Sequence, residues 1–177
     1  METIDRIVEL TKNTINAWEK NYHGYAPYGA AVELDNVPFE RIRSFTLKLT
    51  TELKTRNNDI DYIANDADMV TSYALLGALV EGWMFVFLKI YIDDYMKKDF
   101  NSLNFYKVIK YFKQNIWKGK KGCKSMAKWV NKLRRYRNSV HIYNKKGIGN
   151  EQELDSDIER YYEFLNKFIV ESLPDPQ

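Results

Sequence analysis

Between Tyr73 and Ile92 the chain is apolar over most of its length, with one glutamate, Glu81, near the middle and Lys89 towards the end. A helix that is apolar all round has to be surrounded, either by lipid or by other parts of the protein. As a bilayer span the segment is unfavourable. Its longest charge-free run after Glu81 is Gly82 to Leu88, and a charged side chain at the bilayer centre costs roughly 2.5–3.5 kcal/mol. The expectation is therefore the core helix of a bundle, with no membrane involved. The rest of the chain then has to supply the helices that cover it.

Helical spacing recurs along the sequence and strand signals are weak. A first helix is expected from about Thr3 to Lys20, with Ile4, Ile7, Val8, Leu10, Ile15 and Trp18 as its apolar positions. Asn21 to Asn36 holds two glycines and a proline and reads as a long loop. Pro38 suits a first helical turn, so a second helix runs from Phe39 to Thr55. The central helix is capped by Asp66 or Asp68 and extends to about Lys97. Ser102 caps a short helix from Leu103 to about Ile116, and Ser125 starts the next. Asn144 to Asn150 reads as a turn. Ser156 and Glu159 have capping-box spacing and open a last helix to about Leu173. The predicted fold is all-α, a bundle of about six helices in one domain spanning 1–177.

The single Cys123 excludes an internal disulfide and any multi-cysteine metal site, which fits a reducing, cytoplasmic setting. Met1 to Leu10 already carries Glu2, Asp5 and Glu9, unlike a secretory signal. The formal net charge of +3 hides a strong asymmetry. From Lys107 to Lys146 there are 14 Lys or Arg and no acidic residue; the other 13 basic residues share the chain with all 24 acids, 13 − 24 = −11. Such a run reads either as a solvated lysine surface or as the footprint of a polyanion; its lack of acids favours a nucleic-acid partner.

Within that run lies Arg134-Arg135-Tyr136-Arg137-Asn138-Ser139-Val140-His141, which holds one of only two histidines. Histidine exchanges protons near neutrality, and arginine is the best planar partner for a phosphate. At about 100° per residue from Met126, Val130, Leu133 and Val140 form an apolar stripe. Arg137 falls inside that stripe and His141 on its edge, while Arg135 points the other way. An arginine in an apolar stripe needs a partner, and Glu81 is the obvious one. The pair reads either as a tether between two helices or as a carboxylate that orients a functional arginine; the two are compatible.

In these residues the chain resembles the HEPN superfamily of helical domains, whose motif joins an arginine, often followed by Asn or Asp, to a histidine. The match is Leu133 to His141, with Arg137-Asn138 as the arginine pair. Three residues separate Arg137 from His141, one fewer than the family's usual minimum, whereas five separate Arg135 from it and six Arg134. The likeness extends to the long helix with a central acid, the short helix, the motif helix and the closing helix. It covers about 66–173, with residues 1–60 as an N-terminal helical extension.

The resemblance implies a metal-independent endoribonuclease that works as a homodimer, without cofactor or metal, as found in bacterial toxin–antitoxin and phage-defence systems. Arg137, Asn138 and His141 would be catalytic and Glu81 orienting. Arg134, Arg135, Lys120, Lys121, Lys124 and Lys128 would bind RNA, and an antitoxin or defence partner would control the activity. The alternative is a catalytically silent module that binds nucleic acid or a partner protein through the basic surface; a third reading is a lysine-rich structural protein. His23, among Tyr22, Tyr25 and Tyr28, reads as a base-stacking loop, a packed lid or a dimer contact.

Overall fold

A computed structural model describes residues 2–25, 37–58, 66–91, 102–119, 121–138 and 147–171. Among them there are six helices and no strand, as expected. The helices are α1 (Glu2–Tyr25), α2 (Phe39–Asn58), α3 (Asp66–Ile90), α4 (Phe105–Tyr111), α5 (Cys123–Arg137) and α6 (Glu151–Glu163). Helix α4 continues through a π-helical turn at Phe112–Ile116, and α6 through one at Phe164–Val170.

Helix α3 is the axis of the bundle. Ala67–Ile90 is long and apolar enough to cross a membrane by length and composition, and 61% of its apolar window is buried inside the bundle. Tyr73, Leu76, Val80, Trp83, Met84 and Leu88 are all fully buried against the rest of the chain. One apolar cluster joins them to Ile7, Ile15 and Trp18 of α1, Leu49 and Leu53 of α2, Val130 and Leu133 of α5, and Tyr161 and Phe164 of α6. An aromatic relay links three helices: Phe87 to Phe112 at 5.5 Å, Phe112 to Trp117 at 5.1 Å and Trp117 to Phe168 at 6.1 Å. Both π turns contribute rings to it.

Several helix ends differ from the sequence expectation, each for a local reason. Helix α1 continues to Tyr25 rather than ending at Lys20, since Asn21 to His23 contain no breaker. Asn104, not Ser102, caps α4: its side chain accepts from the Lys107 amide at 3.0 Å. Helix α5 begins at Cys123, two residues before Ser125. Gly122, at φ 82°, turns the chain there, and its carbonyl accepts from the Met126 amide at 2.9 Å. Helix α6 begins at Glu151 with Asn150 as its cap, bonded to the Glu153 amide at 2.9 Å. Ser156 lies a turn inside, returning its hydroxyl to the Gln152 carbonyl at 2.9 Å. The described part of α3 ends at Ile90; the expected continuation to Lys97 lies outside the described residues.

Helix α5 crosses α3 closely at Gly77. A Cβ added to Gly77 would stand 2.9 Å from the Arg137 Cβ and 3.2 Å from the Leu133 carbonyl oxygen. Neither atom can swing aside, so Gly77→Ala must push the helices apart. The expected cost is about 1–3 kcal/mol, the usual range for overpacking, read as a lower urea midpoint. An unchanged midpoint would mean that α5 is free to slide.

Candidate functional site

Two polar constructions flank α5, and they face different ways. The first is at its C-terminal end. Arg137 is the last helical residue and Asn138 its exposed C-cap. Because Gly77 lets α5 lie close, the Arg137 guanidinium reaches across to α3 and donates to the Glu81 carboxylate. The ion pair read from the sequence forms, though half-buried rather than enclosed: 35% of the Arg137 side chain and 20% of that of Glu81 are exposed. The guanidinium also lies over the Phe105 ring, 5.8 Å from its centre. Burial raises the Glu81 carboxyl above its ordinary range, and the charge and hydrogen bond of Arg137 pull it back part of the way.

This pair stands in the wall of a groove of about 540 Å³ between α2 and α3. Ile42, Phe45, Leu79, Phe85 and Val86 give it an apolar lining, with Arg41, Lys89 and Arg137 as its cations and Glu81 as its one acid. A guanidinium has five N–H donors and a carboxylate can take two of them in parallel. Arg137 is thus fixed in direction and still has donors for an anion.

The second construction lies between α5 and α6 and was not legible in the sequence. Asp157, 3% exposed, accepts from the Tyr73 hydroxyl at 3.2 Å, the Trp129 indole N–H at 3.0 Å and Lys132 Nζ at 2.7 Å. Glu153 accepts from Lys132 Nζ at 2.9 Å and the Tyr136 hydroxyl at 3.3 Å. The sequence places Asp157 in a capping box; its side chain instead joins three helices. Burial and the nearby Asp157 and Glu153 carboxylates push the Tyr73 hydroxyl far above its usual value. Burial alone would lower Lys132, but its hydrogen bonds to Asp157 and Glu153 prevail and raise it. Burial also raises Tyr136 and Tyr161.

These directions set the alkaline limit of the fold. Each of the four groups holds its proton more tightly when folded, so their contribution to stability is complete below roughly pH 10 and is lost as pH rises beyond it. Thermal melts at about pH 9, 10 and 11 are expected to show that fall, and Tyr73→Phe should make it shallower. Identical slopes for the two proteins would contradict the role given to Tyr73.

The residues singled out in the sequence therefore divide. Arg137 and Glu81 come together at the groove. Arg134 is half-buried, bonded to Asn131 at 3.0 Å and held over the Tyr106 ring at 5.5 Å. Lys121, Lys124, Lys128 and Arg135 are exposed. On α5, Lys124, Lys128 and Arg135 lie about 140–180° round the helix from Arg137, so they do not share its groove. His141 and Lys120 lie outside the described residues, while the backbone of His23, expected in a loop, belongs to the last turns of α1. The described helix ends before His141, so counting 100° per residue no longer locates it.

The chain matches no family model, no curated protein and no solved structure.

Proposed function

We propose that the protein is a metal-independent endoribonuclease of HEPN type, working in the cytoplasm as a homodimeric effector of a bacterial toxin–antitoxin or phage-defence system. The observation that carries this reading is Arg137. It is oriented by Glu81 beside an open groove, and the sequence puts Asn138 next to it and His141 four residues on.

The chemistry follows from the side chains. His141 takes the proton of a ribose 2′-OH or returns one to the leaving 5′-oxygen, near neutral pH. Arg137 stabilises the charge that develops on the scissile phosphate, and Asn138 positions that phosphate by hydrogen bonds. A dimer supplies a second histidine, hence an acid and a base from two chains. The products are a 2′,3′-cyclic phosphate and a free 5′-hydroxyl. DNA binds but is not cut, because it lacks the nucleophile.

A second reading is favoured by the exposed lysines of α5, which face away from Arg137. In that reading the domain is catalytically silent and binds nucleic acid or a partner protein through its basic surface. RNA incubated in EDTA with wild type, His141→Ala and Arg137→Ala separates the two. Cleavage by wild type that His141→Ala abolishes supports the nuclease. Salt-sensitive binding without cleavage, unchanged in His141→Ala, supports the silent module.

A further inference from the structure

Lys124, Ser125, Lys128, Trp129 and Lys132 of α5 and Arg160 of α6 surround a recess of about 540 Å³ with no acidic residue in its lining. Its cations are not equivalent. Lys132 is committed to Asp157 and Glu153. Lys124 and Lys128 are exposed, one turn apart, and have no ion pair among the described residues. Arg160 is held in place: its guanidinium lies 5.7 Å from the Trp129 ring centre and donates to the Ser125 hydroxyl. A guanidinium fixed on an aromatic face gives up little freedom when it binds an oxyanion, and its flat array of donors matches phosphate.

We infer that this recess is a phosphate-binding site, and that its ligand is the sugar–phosphate backbone of a single RNA strand. Only the source of the phosphate rests on the RNA reading above; the site itself does not. Arg160 gives directed hydrogen bonds, while Lys124 and Lys128 give mobile charge about 6 Å apart along the helix. Trp129 is 3% exposed, so its face is not offered to a base. The recess therefore recognises charge and not sequence. It lies on the opposite flank of α5 from Arg137, so it acts as an anchor away from the cleaved bond, setting affinity and leaving the chemistry to the groove.

The test uses the full chain and a fluorescein-labelled, fully 2′-O-methylated RNA strand, which no 2′-OH chemistry can cut. Anisotropy is followed in EDTA over a series of KCl concentrations. Lys124→Ala/Lys128→Ala is compared with Lys110→Ala/Lys113→Ala, which removes the same charge from exposed positions of the α4 rod. The recess variant is expected to weaken binding at least tenfold at low salt. Its plot of log K against log salt should be shallower by about 1.4, for two lost single-strand phosphate contacts. The α4 variant should bind nearly as wild type does, and Arg160→Gln should fall between the two. If Arg160→Gln melts early, the lysine pair, whose side chains are exposed, carries the test alone.

Equal weakening by both double variants would reduce the recess to diffuse charge and overturn the inference. So would wild type that binds neither the strand nor tripolyphosphate. Recess-dependent binding of tripolyphosphate without binding of the strand would keep the phosphate site, assign it to a soluble polyphosphate, and count against the RNA reading alone.

Discussion

Asp157→Ala is expected to lower the unfolding free energy by about 3–5 kcal/mol, the usual loss when one partner of a buried charged network is removed. The alanine leaves three donors facing a void: the Tyr73 hydroxyl, the Trp129 indole and the Lys132 ammonium. Only Lys132 has a second carboxylate, Glu153, at 2.9 Å. Domains of this size are stable by about 5–15 kcal/mol in total, so the variant should sit near the limit of folding. Asp157→Asn keeps an acceptor for one or two of the donors and loses the charge; it should fall between wild type and alanine. Urea titration followed by tryptophan fluorescence measures the series. A loss below about 1 kcal/mol for alanine would mean that water replaces the carboxylate, and that α5 and α6 are joined by apolar packing alone.

The second large effect concerns cleavage. If the proposed nuclease reading holds, His141→Ala removes the proton carrier and is expected to reduce kcat by about 10²–10⁴. Arg137→Ala should cost about 10²–10³ through lost charge stabilisation. Arg137→Lys is the informative variant, because it keeps the charge but loses the planar array that binds Glu81 and a phosphate together. It should remain well below wild type. Glu81→Gln loosens the arginine without removing it, so kcat should fall less than for Arg137→Ala. A Glu81→Gln variant as fast as wild type would confine that pair to holding helices together.

How much of this was legible in the sequence depends on how local each signal is. The central helix announced itself through its apolar run, and the surrounding helices through their spacing. The Arg137–Glu81 contact was legible for a related reason: each is an ionic residue stranded in an apolar stripe, and each is the other's only evident partner. Asp157 gave no such sign. Its neighbours Ser156 and Glu159 imitate a helix start, while the true start, Asn150 with Glu153 three residues on, has the same spacing. Which of two such patterns caps a helix depends on whether Leu154 and Ile158 both reach the core, which they do. Arg160 was missed because it lies outside the basic run and meets Trp129 and Ser125 only once α6 packs on α5. Spacing along one helix cannot reveal a site assembled from two.

The most direct measurement is cleavage, in EDTA, of an RNA strand beside the same strand with 2′-deoxy sugars throughout. The account predicts that the RNA is cut to fragments ending in 2′,3′-cyclic phosphate while the deoxy strand is bound and left intact. Equal cutting of both strands, or no cutting of RNA until a divalent metal is added, would contradict it.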